Sequence, residues 1–312
     1  MSVAAELKSF GHVISFRSGL SSVIARRQSC GRILMYHGVS PESAHAMAAQ
    51  LLYLARHFNV VSLEAMVDRL TIRSFPLGNE VVLTFDDGLR NNLTVVYPIL
   101  RELHLPATFF VCPALVESGE WLWNHEMRCR LQTQTPSELA ELRLRLLAPG
   151  TSLEGIMEWM KTLPLSQRRH AERTVRQATL GFRPTARQRA AFDVMDWNDL
   201  LSLDRELITV GSHTLNHPIL TGLRAQEIEI EIVESRLCLE QRLQRAVDFF
   251  CYPNGAYDQR AYHLVQKTYR AAVTTESAVV NGQEGLDLHS LPRIPSAESA
   301  ALTAWRLHRP EA

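Results

Sequence analysis

The sequence predicts an α/β protein: a barrel of parallel strands, about seven in number, with helices between them and a helical insertion at about 118–200. Three observations predict it. Short apolar runs alternate along the chain with stretches of helical periodicity, the pattern of βαβ units. The runs are apolar throughout, as strands covered on both faces must be, whereas a half-exposed strand would alternate. Four of them stop at polar clusters, and the carboxyl ends of barrel strands are where such groups gather.

The elements follow in order. Residues 3–27 are moderately apolar but interrupted by Lys8, His12 and Arg17. No stretch there reaches the ~18 apolar residues of a spanning helix, and no unbroken apolar run leads to a small-residue cleavage site, so neither a membrane span nor a signal peptide is expected. Phe10, Val13, Ile14, Leu20, Val23 and Ile24 interleave with Arg17, Arg26 and Arg27. That pattern predicts an amphipathic segment over 1–30, packed on the barrel or resting on a membrane surface.

The barrel itself is expected over 31–312, opening with a strand at 32–36 that ends at His37-Gly38. A helix over 43–57 carries Met47, Leu51 and Leu54 on one face. A second strand is read at 60–63, with Ser62 capping a helix that runs to about Leu70. EVVLTF at 80–85 is the clearest strand, stopped by Asp86-Asp87-Gly88, and a helix over 91–103 leads to the strand at 107–111. The insertion has helix starts at Ser137, Ser166 and Thr185, a stop at Gly181 and no convincing strand. Alternation resumes with a strand at 207–210, a helix over 224–246, a strand at 247–252 and the Pro253-Asn254-Gly255 turn. A helix near 258–268, a strand near 270–274 and Leu291-Pro292-Arg293-Ile294 close the chain.

Basic and acidic residues balance at 33 each, which argues against a general binder of nucleic acid. The five cysteines form no close pair, so neither a disulfide framework nor a CxxC metal motif is read, and free thiols suit a reducing compartment.

The polar strand ends carry the chemistry. Adjacent residues of a strand point to opposite faces, so Asp86 and Asp87 serve one site only where the strand turns, and Gly88 makes that turn easy. Two close carboxylates oppose each other's ionisation unless a cation takes one, which divides them into a metal ligand and a free base. His213 and His217, four apart, can share one side of a helical turn and bind the same ion. Two histidines and a carboxylate leave positions open for water and substrate, as catalytic zinc sites do. Such an ion polarises a carbonyl and acidifies water, and the free aspartate takes the proton. Hydrolysis of an amide or ester follows from these parts; the acyl donor does not.

Leu83-Thr84-Phe85-Asp86-Asp87-Gly88 and Ser212-His213-Thr214-Leu215-Asn216-His217-Pro218 resemble the first two motifs of the polysaccharide deacetylase (NodB-homology) family. Cys251-Tyr252-Pro253-Asn254-Gly255 resembles the third. Met35-Tyr36-His37-Gly38 and Leu291-Pro292-Arg293-Ile294 are similar to segments of the branch that contains exopolysaccharide deacetylases. The resemblance covers about residues 31–295, weakly at 118–200. It implies a distorted (β/α)7-type barrel, Asp86 as base, Asp87, His213 and His217 as ligands of one divalent ion, zinc, and a groove wall of Tyr252, Pro253, Asn254 and Gly255. A backbone N–H near Tyr252 would then help hold the oxyanion.

Three departures shape the expectations. The third motif lacks the arginine that orients the base in many relatives, and Arg293 is expected to replace it. The general acid of the family is a histidine on a late strand, for which His289 is the candidate. His37 either lines the pocket or bonds the backbone beneath it. The implied substrate is an N-acetylhexosamine unit of a polysaccharide or glycolipid precursor, with no nucleic acid involved. A cytoplasmic location is expected, peripheral at the inner membrane face through residues 3–27. A non-catalytic carbohydrate-binding or scaffold protein on the same fold, and a hydrolase of another acyl group, stay open at this point.

Overall fold

The computed structural model describes residues 12–72, 77–149, 152–281 and 286–309. The strands are β1 (Cys30–Tyr36), β2 (Asn59–Val60), β3 (Glu80–Phe85), β4 (Ala107–Val111), β5 (Ile208–Ser212), β6 (Phe249–Cys251), β7 (Ala271–Val273), β8 (Val280–Asn281) and β9 (Ile294–Pro295). They form one sheet in the order β7-β6-β5-β4-β3-β1-β8, with β2 beside β3 and β9 beside β1. Every pairing is parallel except β1 with β8. The sheet curls because its two edges share one segment: Leu291 pairs with Val273 of β7, and Ile294 pairs with Leu34 of β1. That shared stave makes the ring a barrel.

The strand sequences explain the layering. Leu34, Leu83, Phe85, Phe109 and Phe250 face outward and pack with Leu51, Leu54, Leu100 and Leu239 of the surrounding helices. Their neighbours Ile33, Val82, Phe110, Phe249 and Ala271 face inward, where Met66, Val67 and Leu70 of the helix Leu63–Thr71 close one end. Both faces are thus covered, and β3 is buried at all six positions, which is why its run shows no alternation.

Several boundaries differ from the sequence-based expectation. The strand read at 60–63 is only Asn59–Val60, because Ser62 starts a helix at once, its Oγ accepting from Ala65 N at 3.0 Å. Thr135 and Pro164, not Ser137 and Ser166, precede the insertion helices Pro136–Leu146 and Leu165–Ala178. The latter ends before Gly181. The helix expected over 224–246 comprises Ala225–Glu229, a wide π turn at Ile230–Glu234, and Ser235–Leu243, ending where Gln244 turns left-handed. The strand β8 and the C-terminal helix Ala300–Arg306 were not anticipated.

The insertion has a core of its own, built from Met127, Leu131, Leu142, Ile156, Met160 and Val175. Its two ends are fastened to the turn that follows β3. Leu89 bridges to Val194, Met195 N donates to Gly88 O at 2.9 Å, and Leu122 packs with Leu89 and Cys112.

The amphipathic segment is described from residue 12; the part predicted to include Phe10 lies outside the described residues. It is helical at 12–17, kinks at Gly19 and resumes as Leu20–Arg27. It does pack on the barrel. Phe16 meets Tyr53, and the buried Arg32 guanidinium donates to Ala25 O at 2.7 Å and to Leu307 O, joining the first and last described helices. Among the described residues no helix is long and apolar enough to cross a membrane.

Candidate active site and metal centre

The site forms where β3, β5 and β6 end. After Phe85 the chain turns sharply, with Asp87 at φ 75° and Gly88 at φ 64°. Left-handed geometry is unfavourable for an aspartate, and a side chain at position 88 would also press on Val111. The turn lets both carboxylates face the barrel mouth instead of opposite sides of a strand.

After β5 the histidines are set by a loop. The sequence reading placed them on a helical turn, but Thr214 and His217 both have positive φ (65° and 56°), which no α-helix contains. Glu231 anchors this loop: Oε2 accepts from Leu215 N and Asn216 N at 2.9 and 2.8 Å, and Oε1 accepts from Asn216 Nδ2 at 2.9 Å. The π turn at 230–234 carries that buried glutamate.

His213 Nε2 and His217 Nε2 lie 3.6 and 3.3 Å from Asp87 Oδ1. The ligand atoms of these three residues all fall within 4.8 Å of one another. His213 Nδ1 sits 2.8 Å from the Cys251 carbonyl, an arrangement that puts a proton on Nδ1 and would leave Nε2 as the ligating lone pair once a metal displaces the proton it otherwise shares with Asp87, as outer partners of metal-bound imidazoles do. The donor set of two nitrogens and one carboxylate oxygen therefore fits a divalent transition metal such as zinc. Burial works against charge on Asp87, yet hydrogen bonds from His213 and His217 hold it well below the usual carboxylate range. Burial lowers His217 below an ordinary imidazole.

Asp86, His213 and Cys251 also cluster, but Asp86 is otherwise engaged. Arg293, fully buried on the closing stave, donates from Nη1 to Oδ1 and from Nη2 to Oδ2, both at 2.7 Å. The same guanidinium reaches Cys251 Sγ at 3.2 Å, Thr84 Oγ1 at 3.0 Å and Thr274 O at 2.7 Å. Burial alone would raise the Asp86 pKa; the Arg293 charge and hydrogen bonds bring it below the ordinary value. Burial pushes the Cys251 thiol up, so it stays protonated beside them. Arg293 thus stands against the side chain of Cys251 in the third motif.

The remaining predicted residues are less central. His37 is exposed at the rim, Nε2 4.0 Å from Asp86 Oδ2, so it lines the site and does not brace the backbone. Beside it opens a cleft of about 500 Å³ whose lining includes Gln50, Ser296 and Glu298. Tyr252 does not line a groove: it is fully buried among the outward-facing side chains, its OH donates to His289 O at 3.1 Å, and its N–H donates to Val273 O at 3.3 Å. Cys251 points inward, so its neighbour must point out, and the Tyr252 N–H is not free for an oxyanion. Pro253 is buried as well, whereas Asn254 and Gly255 reach the surface. His289 is not brought to the site. Its Nε2 lies 3.0 Å from Tyr269 O, just before β7 begins, at the opposite end of the strand from the carboxylates.

Two residues escaped the sequence reading. Glu231 has no motif around it. His125, on the insertion helix Trp123–Gln132, lies close enough to Asp87, His217 and His37 to feel their charges; burial pushes its pKa down to about 4. Its ring rests on Phe192 and its Nδ1 is buried without a partner. Trp121, Trp123 and Trp197 serve packing: Trp121 donates to Asp193, Trp123 lies under Arg168 and Trp197 donates to Glu117.

Comparison with known proteins adds to this geometry. The family model described as polysaccharide deacetylase matches residues 76–146 and 163–272, more than half of the chain. YxkH of Bacillus subtilis (strain 168), a protein named for the polysaccharide deacetylases, is 28% identical over 282 residues, covering 88% of this chain and 75% of that one. Among solved structures, the Streptococcus pyogenes deacetylase PplD, in complex with acetate, superposes with a TM-score of 0.59 at 20% identity, over 87% of this chain and 95% of that one. IcaB from Ammonifex degensii superposes with 0.58 at 18% identity, over 88% and 97%. These two share the fold.

Proposed function

Since the chain belongs to the polysaccharide deacetylase family, we propose that it removes the N-acetyl group from an N-acetylhexosamine unit of a polysaccharide or glycolipid precursor, with one zinc ion held by Asp87, His213 and His217. The observation that carries this reading is the pairing, at one barrel mouth, of that buried ligand triad with a second carboxylate fixed by Arg293. Bound there, the ion supplies Lewis-acid polarisation of the acetyl carbonyl. The rest is done by side chains. Asp86, held ionised and oriented by two hydrogen bonds, takes a proton from the attacking water while the water oxygen bonds to the acetyl carbon. The carbon–nitrogen bond then breaks, acetate leaves, and the proton returns to the amine nitrogen. His37, at the rim within reach of Asp86, relays it.

The test combines metal content with product. Purified protein is expected to hold close to one equivalent of zinc, and to release acetate from N-acetylglucosamine oligomers in a chelator-sensitive manner. A His213→Ala/His217→Ala variant should hold no metal and release none. Absence of metal even after reconstitution, or acetate release by the double variant, would overturn the reading. For His37→Ala, kcat is expected to fall by roughly 10²-fold with KM nearly unchanged, measured as acetate release; a wild-type kcat would remove His37 from the proton path.

A further inference from the structure

The amphipathic segment at the start of the described chain meets the protein through small and hydroxyl side chains together with Phe16, and leaves most of its large aliphatic residues outside. Ser21 and Ser22 are 0% and 2% exposed, whereas Ile14 and Leu20 are 53% and 52% exposed. Ser15 is also buried and shares a hydrogen bond with Ser21 at 2.7 Å. The expected arrangement is the reverse, because burying a hydroxyl costs free energy and burying a large aliphatic side chain gains it. Val13, Val23 and Ile24 join Ile14 and Leu20 among the exposed large apolar residues. Serines suit the inner face for a local reason: their small side chains let the helix lie close to the barrel, while Arg32 takes up the carbonyl of Ala25. The aliphatic residues are left facing away from the protein.

Charge indicates what covers this face. Arg17, Arg26 and Arg27 are exposed on the same two helical pieces. None of the three is ion-paired among the described residues, and the sequence has no Asp or Glu between Leu7 and Pro41. A protein or second-copy interface that buried three unpaired guanidinium groups would incur their desolvation. At an anionic bilayer, by contrast, the aliphatic side chains enter the boundary of the acyl region while arginines stay with the phosphates. We propose that residues 12–27 form a docking surface for an anionic lipid bilayer, with Val13, Ile14, Leu20, Val23 and Ile24 inserting and Arg17, Arg26 and Arg27 contacting headgroups. The segment lies on the barrel beside the C-terminal helix, with His12 against Trp305, so the whole domain would be held at the membrane rather than a loose tail. This inference is independent of the catalytic reading.

The experiment is sedimentation of the full-length chain with phosphatidylcholine vesicles, with and without phosphatidylglycerol. Binding is expected with phosphatidylglycerol, at least about tenfold stronger than without it, and weakening as salt is raised. Leu20→Glu/Ile24→Glu should lose binding by more than about tenfold; both positions are exposed, so its thermal unfolding should match the wild type. Arg17→Ala/Arg26→Ala/Arg27→Ala should lose the preference for the anionic lipid. Wild-type protein that stays in the supernatant with anionic vesicles overturns the proposal. So does a Leu20→Glu/Ile24→Glu variant that folds and binds as well as wild type. If vesicle binding is absent and light scattering shows a dimer that this variant converts to a monomer, a second copy covers the face and the proposal fails. It also fails if binding appears only after residues 1–11 are deleted, because that segment then covers the face in the full chain.

Discussion

Asp86→Asn is expected to lower kcat/KM for acetate release by roughly 10²–10⁴-fold, the usual contribution of a general base, while zinc content stays at the wild-type level. The two halves of that expectation come from separate observations. The proposed metal ligands are Asp87, His213 and His217, and among the described residues no hydrogen bond of theirs runs through the Asp86 carboxylate. Asparagine keeps the shape of aspartate but cannot take a proton from water. It can still accept from one Arg293 nitrogen, so the ligand triad should assemble, although the buried guanidinium loses its counter-charge and stability should fall. Acetate release measured beside elemental analysis checks both halves. A variant that loses its metal along with its activity would show that Asp86 is a ligand, and the division of labour between the two carboxylates would be wrong.

Arg293→Met should damage stability and activity together. The side chain is fully buried and makes both of its strongest contacts to a buried carboxylate. Removing one partner of such a pair leaves an uncompensated charge and costs about 3–5 kcal/mol, read as a lower midpoint in denaturant. The pH profile gives a second, more specific readout. In the wild type Arg293 holds the Asp86 pKa below its ordinary value against the effect of burial. Without the guanidinium, burial prevails and the pKa rises. The base works only when deprotonated, so the acid limb of kcat/KM should move to higher pH. Stability follows the same sign: the contribution of a carboxylate with a lowered pKa is present above its unfolded value and is lost as pH falls through the folded one. Arg293→Lys keeps the charge but not the two-pronged geometry, and it should fall between wild type and Arg293→Met. Turnover and acid limb unchanged in either folded variant would remove Arg293 from the mechanism.

The parts of this site that were legible in the sequence were those with a local cause. A run of buried residues stopped by Asp86-Asp87-Gly88 marks a strand end and its turn without any tertiary information. His213 and His217 were legible as a pair, but not their backbone: nothing in Thr214 announces a left-handed residue, since threonine disfavours that conformation, and the loop that holds it is tied down by Glu231, far along the chain. Tyr252 was misplaced by one step of strand parity, which the inward Cys251 would have corrected. His289 was misplaced by register: its position relative to β7 depends on where the last segment docks, and residues far apart in sequence set that. His125 had no motif because its place is created by the fastening of the insertion to Gly88. The amphipathic pattern at 12–27 was visible, but a pattern does not say which of its faces meets the protein.

The closing stave has a consequence for how the protein comes to be active. Asp86 and Arg293 are 207 residues apart in the chain, and the segment that carries Arg293 is also the one that joins β7 to β1. Contacts of such long sequence separation form late, because the intervening chain must first be ordered. A nascent or truncated chain ending before this segment would hold Asp87, His213 and His217 but would lack the guanidinium that orients Asp86. Closure of the ring and the fixing of Asp86 by Arg293 are then a single event.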